Sequence, residues 1–233
     1  MIVSALRRLA VDGLHRAGLV GRSPDVEEPR ATVVRRRAIV VATLVAGSVL
    51  LGFSLNADPG STGFYVLTLC LAAVWAGGAL LSGPLHLGRQ RQRRPVIGPI
   101  VLGFVLVGVF VVGALVVREI GPLDRLVQSV LDLARQGTGP LVVLVTVLNG
   151  IAEEVYFRGA LYAALGRYRP VLLTAVIYTV ATLATGNLML AFAALVLAPV
   201  LGLQRRATGG ILASTLTHIT WSVSMIFVLP PLF

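Results

Sequence analysis

The chain has 233 residues, 56% hydrophobic and only 13% charged, with a mean hydropathy of +0.88. That is too much apolar surface for an ordinary soluble domain. The net charge of +10 comes entirely from arginine on the basic side, in short clusters between apolar stretches, which excludes a nucleic-acid surface and fits a membrane protein. A single cysteine, Cys70, excludes an internal disulfide, so helix packing must supply stability.

Residues 1–20 read as a basic amphipathic stretch, with Ile2, Leu6, Leu9 and Leu14 set against Arg7, Arg8 and Arg16. Such a segment suits an anionic leaflet surface. No apolar core follows the first arginines, so it does not read as a secretory signal. Residues 21–37, with Pro24, Pro29 and mixed charge, read as a linker, which gives a cytoplasmic segment 1–37 and a transmembrane domain 38–233.

A spanning helix needs about 20 mainly apolar residues. Seven candidates follow in order: Ala38–Leu55, Thr62–Leu81, Val96–Val117, Gly139–Leu165, Pro170–Thr185, Leu188–Leu203 and Gly209–Leu229. The fifth and sixth are short and separated only by Gly186 and Asn187, as in a tight helical hairpin or one re-entrant pair. Between the third and fourth, apolar residues recur at Leu123, Leu126, Val127, Val130, Leu131 and Ala134. This is helical spacing and predicts an interfacial helix or lid. The expected fold is all-α, a polytopic bundle of about seven helices.

Arginine placement sets the orientation. With the N-terminus in the cytoplasm, sixteen arginines lie on that side and only Arg118, Arg125 and Arg135 on the other. Arg158 alone falls within a span. We expect a multi-pass protein of a bacterial plasma membrane.

The fourth candidate span carries Glu153, Glu154 and Arg158. On the insertion scale such groups cost about 2.5–3.5 kcal/mol each at a bilayer centre, so they must face a bundle interior or a wet cavity and mark a site by default. Glu154 and Arg158 are spaced i,i+4, acid first, as in a helical ion pair. Glu153 points about 100° away, beside Asn149 one turn earlier, and has no cation on its own helix. At about 1.5 Å per residue, Glu153, Thr182 in the fifth span and His218 in the seventh reach similar depth. His218 and Ser222 share a face and could bind a metal, hold a water or donate to an oxyanion. Plainer roles exist too: Glu154–Arg158 as a structural pair, His218 as an interhelical hydrogen bond, Thr182 and Ser222 as packing residues.

Glu153-Glu154-x-x-x-Arg158 followed by Gly159, with a late His218-x-x-x-Ser222, resembles the CPBP family of intramembrane proteases, the CAAX prenyl endopeptidase and bacteriocin-processing group. The resemblance covers roughly residues 139–229. It implies an endopeptidase in which Glu153 activates water, Glu154 and Arg158 support it, and His218 stabilises the oxyanion or joins a metal site. The family pattern has Phe-x-x-x-His and then His-x-x-x-Asn or Asp. Here the corresponding positions are Tyr178 to Thr182, with Thr182 in place of His, and Ser222 in place of Asn or Asp.

The expected activity is therefore cleavage of a peptide or protein substrate in or near the membrane, in its cytoplasmic half. Asn149, Thr182 and Ser222 are candidates for supporting substrate or oxyanion. Zinc normally takes three protein ligands and a water, and a threonine hydroxyl is a poor neutral ligand, so the pattern disfavours zinc. Two other readings stand beside this one. A catalytically impaired scaffold, immunity or regulatory protein would keep the polar cluster for packing. A small proton-coupled transporter is disfavoured because no internal symmetry is evident. The partners expected are the lipid bilayer and a peptide, not nucleic acid.

Overall fold

The computed structural model describes residues 10–20, 29–85, 87 and 95–233. Residues 1–9 of the amphipathic N-terminal stretch, residues 21–28 of the linker and the loop arginines Arg89, Arg91, Arg93 and Arg94 lie outside the described residues. Among the described residues there is no strand, only an isolated bridge between Leu87 and Gly210.

Among the described residues from 29 onward, eight helices build the bundle: α1 (Arg30–Leu55), α2 (Thr62–Ser82), α3 (Ile97–Val117), α4 (Gly121–Arg135), α5 (Gly139–Leu165), α6 (Pro170–Thr185, its last turn 3-10), α7 (Leu188–Thr208) and α8 (Leu212–Val228). Five of them, α1, α2, α3, α5 and α7, are long and apolar enough to cross a membrane, whereas α6 and α8 are shorter. Large apolar side chains such as Val45 and Phe53 on α1, Phe104 and Val112 on α3, and Phe192 on α7 point outward and are exposed. A belt of this kind is stable against lipid, where helices satisfy their own backbone polar groups. The protein is a helical membrane bundle.

α1 begins earlier than the sequence reading, which assigned residues up to 37 to a linker. Its first turns are helical, and Arg36 is fully buried, donating to Ser82 Oγ at 3.2 Å and to the Pro84 carbonyl at 3.0 Å. Arg36 is therefore part of the bundle, because it caps the end of α2 and its following turn. A described remnant of the N-terminal stretch, helical over residues 10–16, docks at the same arginine-rich end, where Gln204 Nε2 donates to the Ala17 carbonyl at 2.8 Å.

Small residues set the closest packing. The ring of Trp75 lies over Gly47, and Thr43 lies against Gly78, so any side chain at either glycine would occupy its neighbour's space. Lipid supplies no hydrophobic drive between helices, so such close approach is what holds α1 on α2. Trp75, in turn, stacks on Tyr156 and Phe157 of α5, with ring centres 4.5 and 5.1 Å away. α5 thus runs through the middle of the molecule.

The α6–α7 connection is a tight helical hairpin. Gly186 takes the left-handed conformation (φ 72°), and Asn187 caps α7 by accepting from the Met189 and Leu190 amides. The Asn187 amide also donates to the Leu126 carbonyl at 2.6 Å and to Ser129 Oγ at 3.1 Å. α4, the helix anticipated from apolar spacing, is therefore pinned across the hairpin turn.

Candidate active site

α5 is α-helical as far as Glu153 and then winds as a π-helix over Glu154–Leu161. Such wider turns are rare and recur at functional sites. They disturb the backbone ladder, and a neighbouring side chain takes part in the repair: Arg205 Nε of α7 donates to the Arg158 carbonyl at 2.8 Å. Every residue from Tyr156 to Leu161 is buried, as expected for a helix enclosed on all sides.

The two glutamates part company at this junction. Glu154 is fully buried, and its Oε1 accepts from Arg158 Nη1 at 2.9 Å and lies 3.0 Å from His218 Nδ1. An ionised carboxylate can only accept, so Nδ1 carries the proton and Nε2 is left facing the other way. Nε2 points at Glu153, 4.0 Å from Oε2. Glu153, Asn149, Gly150, His218 and Ser222 line a cavity of about 220 Å³, which continues past Thr68 and Val145 to Phe64. Glu154 and Arg158 stand behind its wall. The i,i+4 ion pair, the divergence of the two glutamates and the shared face of His218 and Ser222 all appear as the spacing implied.

Tyr178 of α6 is the residue that sequence reasoning passed over. Its hydroxyl donates to Glu153 Oε2 at 2.6 Å. Its ring packs on Phe157, with centres 4.7 Å apart, and covers the Arg158 guanidinium at 4.9 Å. Glu153 was expected to lack a partner on its own helix; its partner comes from another helix. The one available signal was a hydroxyl on the aromatic residue that opens the second motif.

The weaker candidates divide. Asn149 lines the cavity, but its amide donates to the Thr68 carbonyl at 3.1 Å and the Val145 carbonyl at 2.9 Å. Ser222 lines it with a hydroxyl 3.4 Å from the Ile219 carbonyl. Thr182 is not among the lining residues, and its hydroxyl donates to the Tyr178 carbonyl at 2.9 Å. A β-hydroxyl that bonds one turn back along its own helix is turned along the backbone rather than into a site.

The cavity runs along α2 and α5, away from the buried ion pair. Phe64 and Val145 lie near the starts of α2 and α5, the ends away from the arginine clusters. Arg158, Arg205 and Gln204, all buried, fill the opposite side.

The donor set does not fit zinc. Among the described residues no three His, Cys, Asp or Glu side chains gather as a metal site. His218 Nε2 and Glu153 Oε2 offer two ligands, one already held by Tyr178, while Glu154 Oε1 is shared between Arg158 and His218. A catalytic zinc normally takes three protein ligands.

Comparison with known proteins places these helices. Residues 135–224 match the family model described as type II CAAX prenyl endopeptidase Rce1-like. No curated protein and no solved structure matches the chain. The matched stretch runs from the last residue of α4 into α8 and contains Glu153, Glu154, Arg158, Tyr178 and His218. Residues 135–224 are thus an Rce1-like region, of the CPBP family of intramembrane proteases, within a helical membrane protein.

Proposed function

We propose that this protein is an intramembrane endopeptidase in which Glu153 activates the attacking water. The observation that carries the reading is the 4.0 Å approach of His218 Nε2 to Glu153 Oε2 on the wall of a cavity. A water hydrogen-bonded at about 2.8 Å to both atoms would subtend roughly 90° between them, close to its natural angle. It would present its lone pairs to the cavity, where a peptide carbonyl can approach. Glu153 takes the proton as the O–C bond forms and returns it to the amide nitrogen as the C–N bond breaks. Glu154 and Arg158 fix the imidazole: the buried ion pair holds the Nδ1 proton, so Nε2 stays an acceptor. His218 then orients water rather than donating to the oxyanion. Asn149 and Ser222 bound the space next to it, and the arginine-poor end of the bundle is where a peptide enters.

The test is hydrolysis of internally quenched peptides by purified protein in liposomes, compared with Glu153→Gln. That change keeps the shape and the Tyr178 hydrogen bond but removes the base, and should lower kcat by about 10²–10⁴-fold with the thermal midpoint unchanged. Unchanged cleavage by Glu153→Gln would refute the assignment.

A non-catalytic scaffold or regulatory role is the second reading. Thr182, which stands where the resemblance calls for histidine, is spent on its own helix. That reading wins if Glu153→Gln lowers thermal stability while neither protein cleaves peptide.

A further inference from the structure

A hydrolytic centre needs a donor for the oxyanion as well as a base for the water. Removing one such donor typically costs about 10²–10³ in rate. His218 cannot be that donor while neutral, because its one N–H is committed to Glu154 and Nε2 carries a lone pair. The amide of Asn149 is used by two backbone carbonyls, and Thr68 Oγ1 donates to the Phe64 carbonyl at 2.6 Å. Thr182 is turned along its own helix. Ser222 Oγ, also on the wall, points back to the Ile219 carbonyl at 3.4 Å, and the donor bonded to Glu153 itself is the Tyr178 phenol, which lines the same cavity and is held rigidly between Phe157 and Arg158.

We propose that Tyr178 is a catalytic residue: its hydroxyl, donated to Glu153 Oε2 at rest, turns to the oxyanion of the tetrahedral intermediate and stabilises it. The proposal rests on the endopeptidase reading above and adds the donor that reading lacks. The order of events follows from the charges. At rest Glu153 is the negative group and holds the phenol. When water attacks, its proton moves to Glu153, the new O–C bond forms, and the carbonyl π pair moves onto the substrate oxygen. Negative charge has then left Glu153 and appeared on that oxygen, so the phenolic hydrogen bond follows it. Tyr178 keeps its proton throughout. On collapse the oxygen pair re-forms the carbonyl, Glu153 delivers its proton to the amide nitrogen, the C–N bond breaks, and the phenol returns to the carboxylate. One hydroxyl thereby restrains the base before reaction and receives the charge during it.

The experiment compares wild type, Tyr178→Phe, Thr179→Val and Glu153→Gln in liposomes, measuring kcat and KM for a quenched peptide together with the thermal midpoint. Thr179→Val is the control, since its hydroxyl bonds the Ala175 carbonyl within the same helix. We expect Tyr178→Phe to lose about 10²–10³ in kcat with KM within twofold and the midpoint retained, and Thr179→Val to match wild type. If Tyr178→Phe keeps wild-type kcat while Glu153→Gln is inactive, the tyrosine proposal falls and the glutamate reading stands. An equal loss in Thr179→Val, or a loss confined to KM, also overturns it. If wild type and Glu153→Gln hydrolyse at the same rate, the underlying reading fails and the proposal fails with it.

Discussion

Glu154 and Arg158 are a buried pair with no exposed side-chain surface, and their energetics differ from those of a surface ion pair. Removing one partner of such a pair leaves an uncompensated charge and typically costs about 3–5 kcal/mol, whereas replacing both with apolar residues is often neutral. Glu154→Gln should therefore lower the thermal midpoint in detergent sharply. Glu154→Leu combined with Arg158→Leu should lower it less, while still abolishing cleavage, because His218 loses the acceptor that fixes its Nδ1 proton. A double variant less stable than both singles would contradict a paired, structural role for the two charges. His218→Gln tests the neighbouring link: its amide cannot reproduce a bare ring nitrogen opposite Glu153, so kcat should fall while the ion pair keeps the fold intact. Local spacing made the pair visible in advance, since both residues lie on one helix. Tyr178 was not visible in that way. It lies 25 residues from Glu153, and no helical periodicity links positions on different helices.

At the level of elements, hydropathy located the helices, and the structure moved their ends. Arg35, Arg36 and Arg37 look like loop residues in a charge count, yet they extend α1, because Arg36 finds acceptors at the end of α2 and Arg37 Nε donates to the Ala164 carbonyl at 3.1 Å. The π turns of α5 had no sequence signature at all. They depend on groups from other helices, such as Arg205, that arrive only with tertiary packing. Capping, by contrast, was readable: Gly186 and Asn187 mark the hairpin, and Asn187 joins it to α4. Asn187→Ala should cost about 0.5–2 kcal/mol as a lost cap and free α4 from the turn. Faster hydrogen exchange of the α4 amides, with α5 unchanged, is the expected result. Unaltered exchange in α4 would show that its apolar face alone holds it.

At the scale of the described bundle, the arginine-rich end and the cavity lie on opposite sides of the Glu154–Arg158 pair. Arg36, Arg37 and Arg205 are set into the base of the bundle, with the ion pair of Glu154 and Arg158 above them, while the cavity opens past Thr68 and Val145 toward Phe64. The arginine count alone supplied the orientation. The path of the cavity could not be read from the sequence, because it is the space left by side chains of α2, α5, α6 and α8 after packing. If the arginine-rich end is cytoplasmic, a peptide reaches Glu153 from the outer half of the membrane. Cys70, the single cysteine, is exposed on α2, so a Cys70→Ala background leaves every thiol to be placed by design. In that background we would introduce Glu153→Cys and add a small charged thiol reagent to one side of sealed, oriented vesicles at a time. We expect rapid labelling from the side opposite the arginine clusters, slowed by peptides that fill the cavity. Labelling only after denaturation would contradict a water-filled pocket at Glu153, and with it the proposal that this acid activates water.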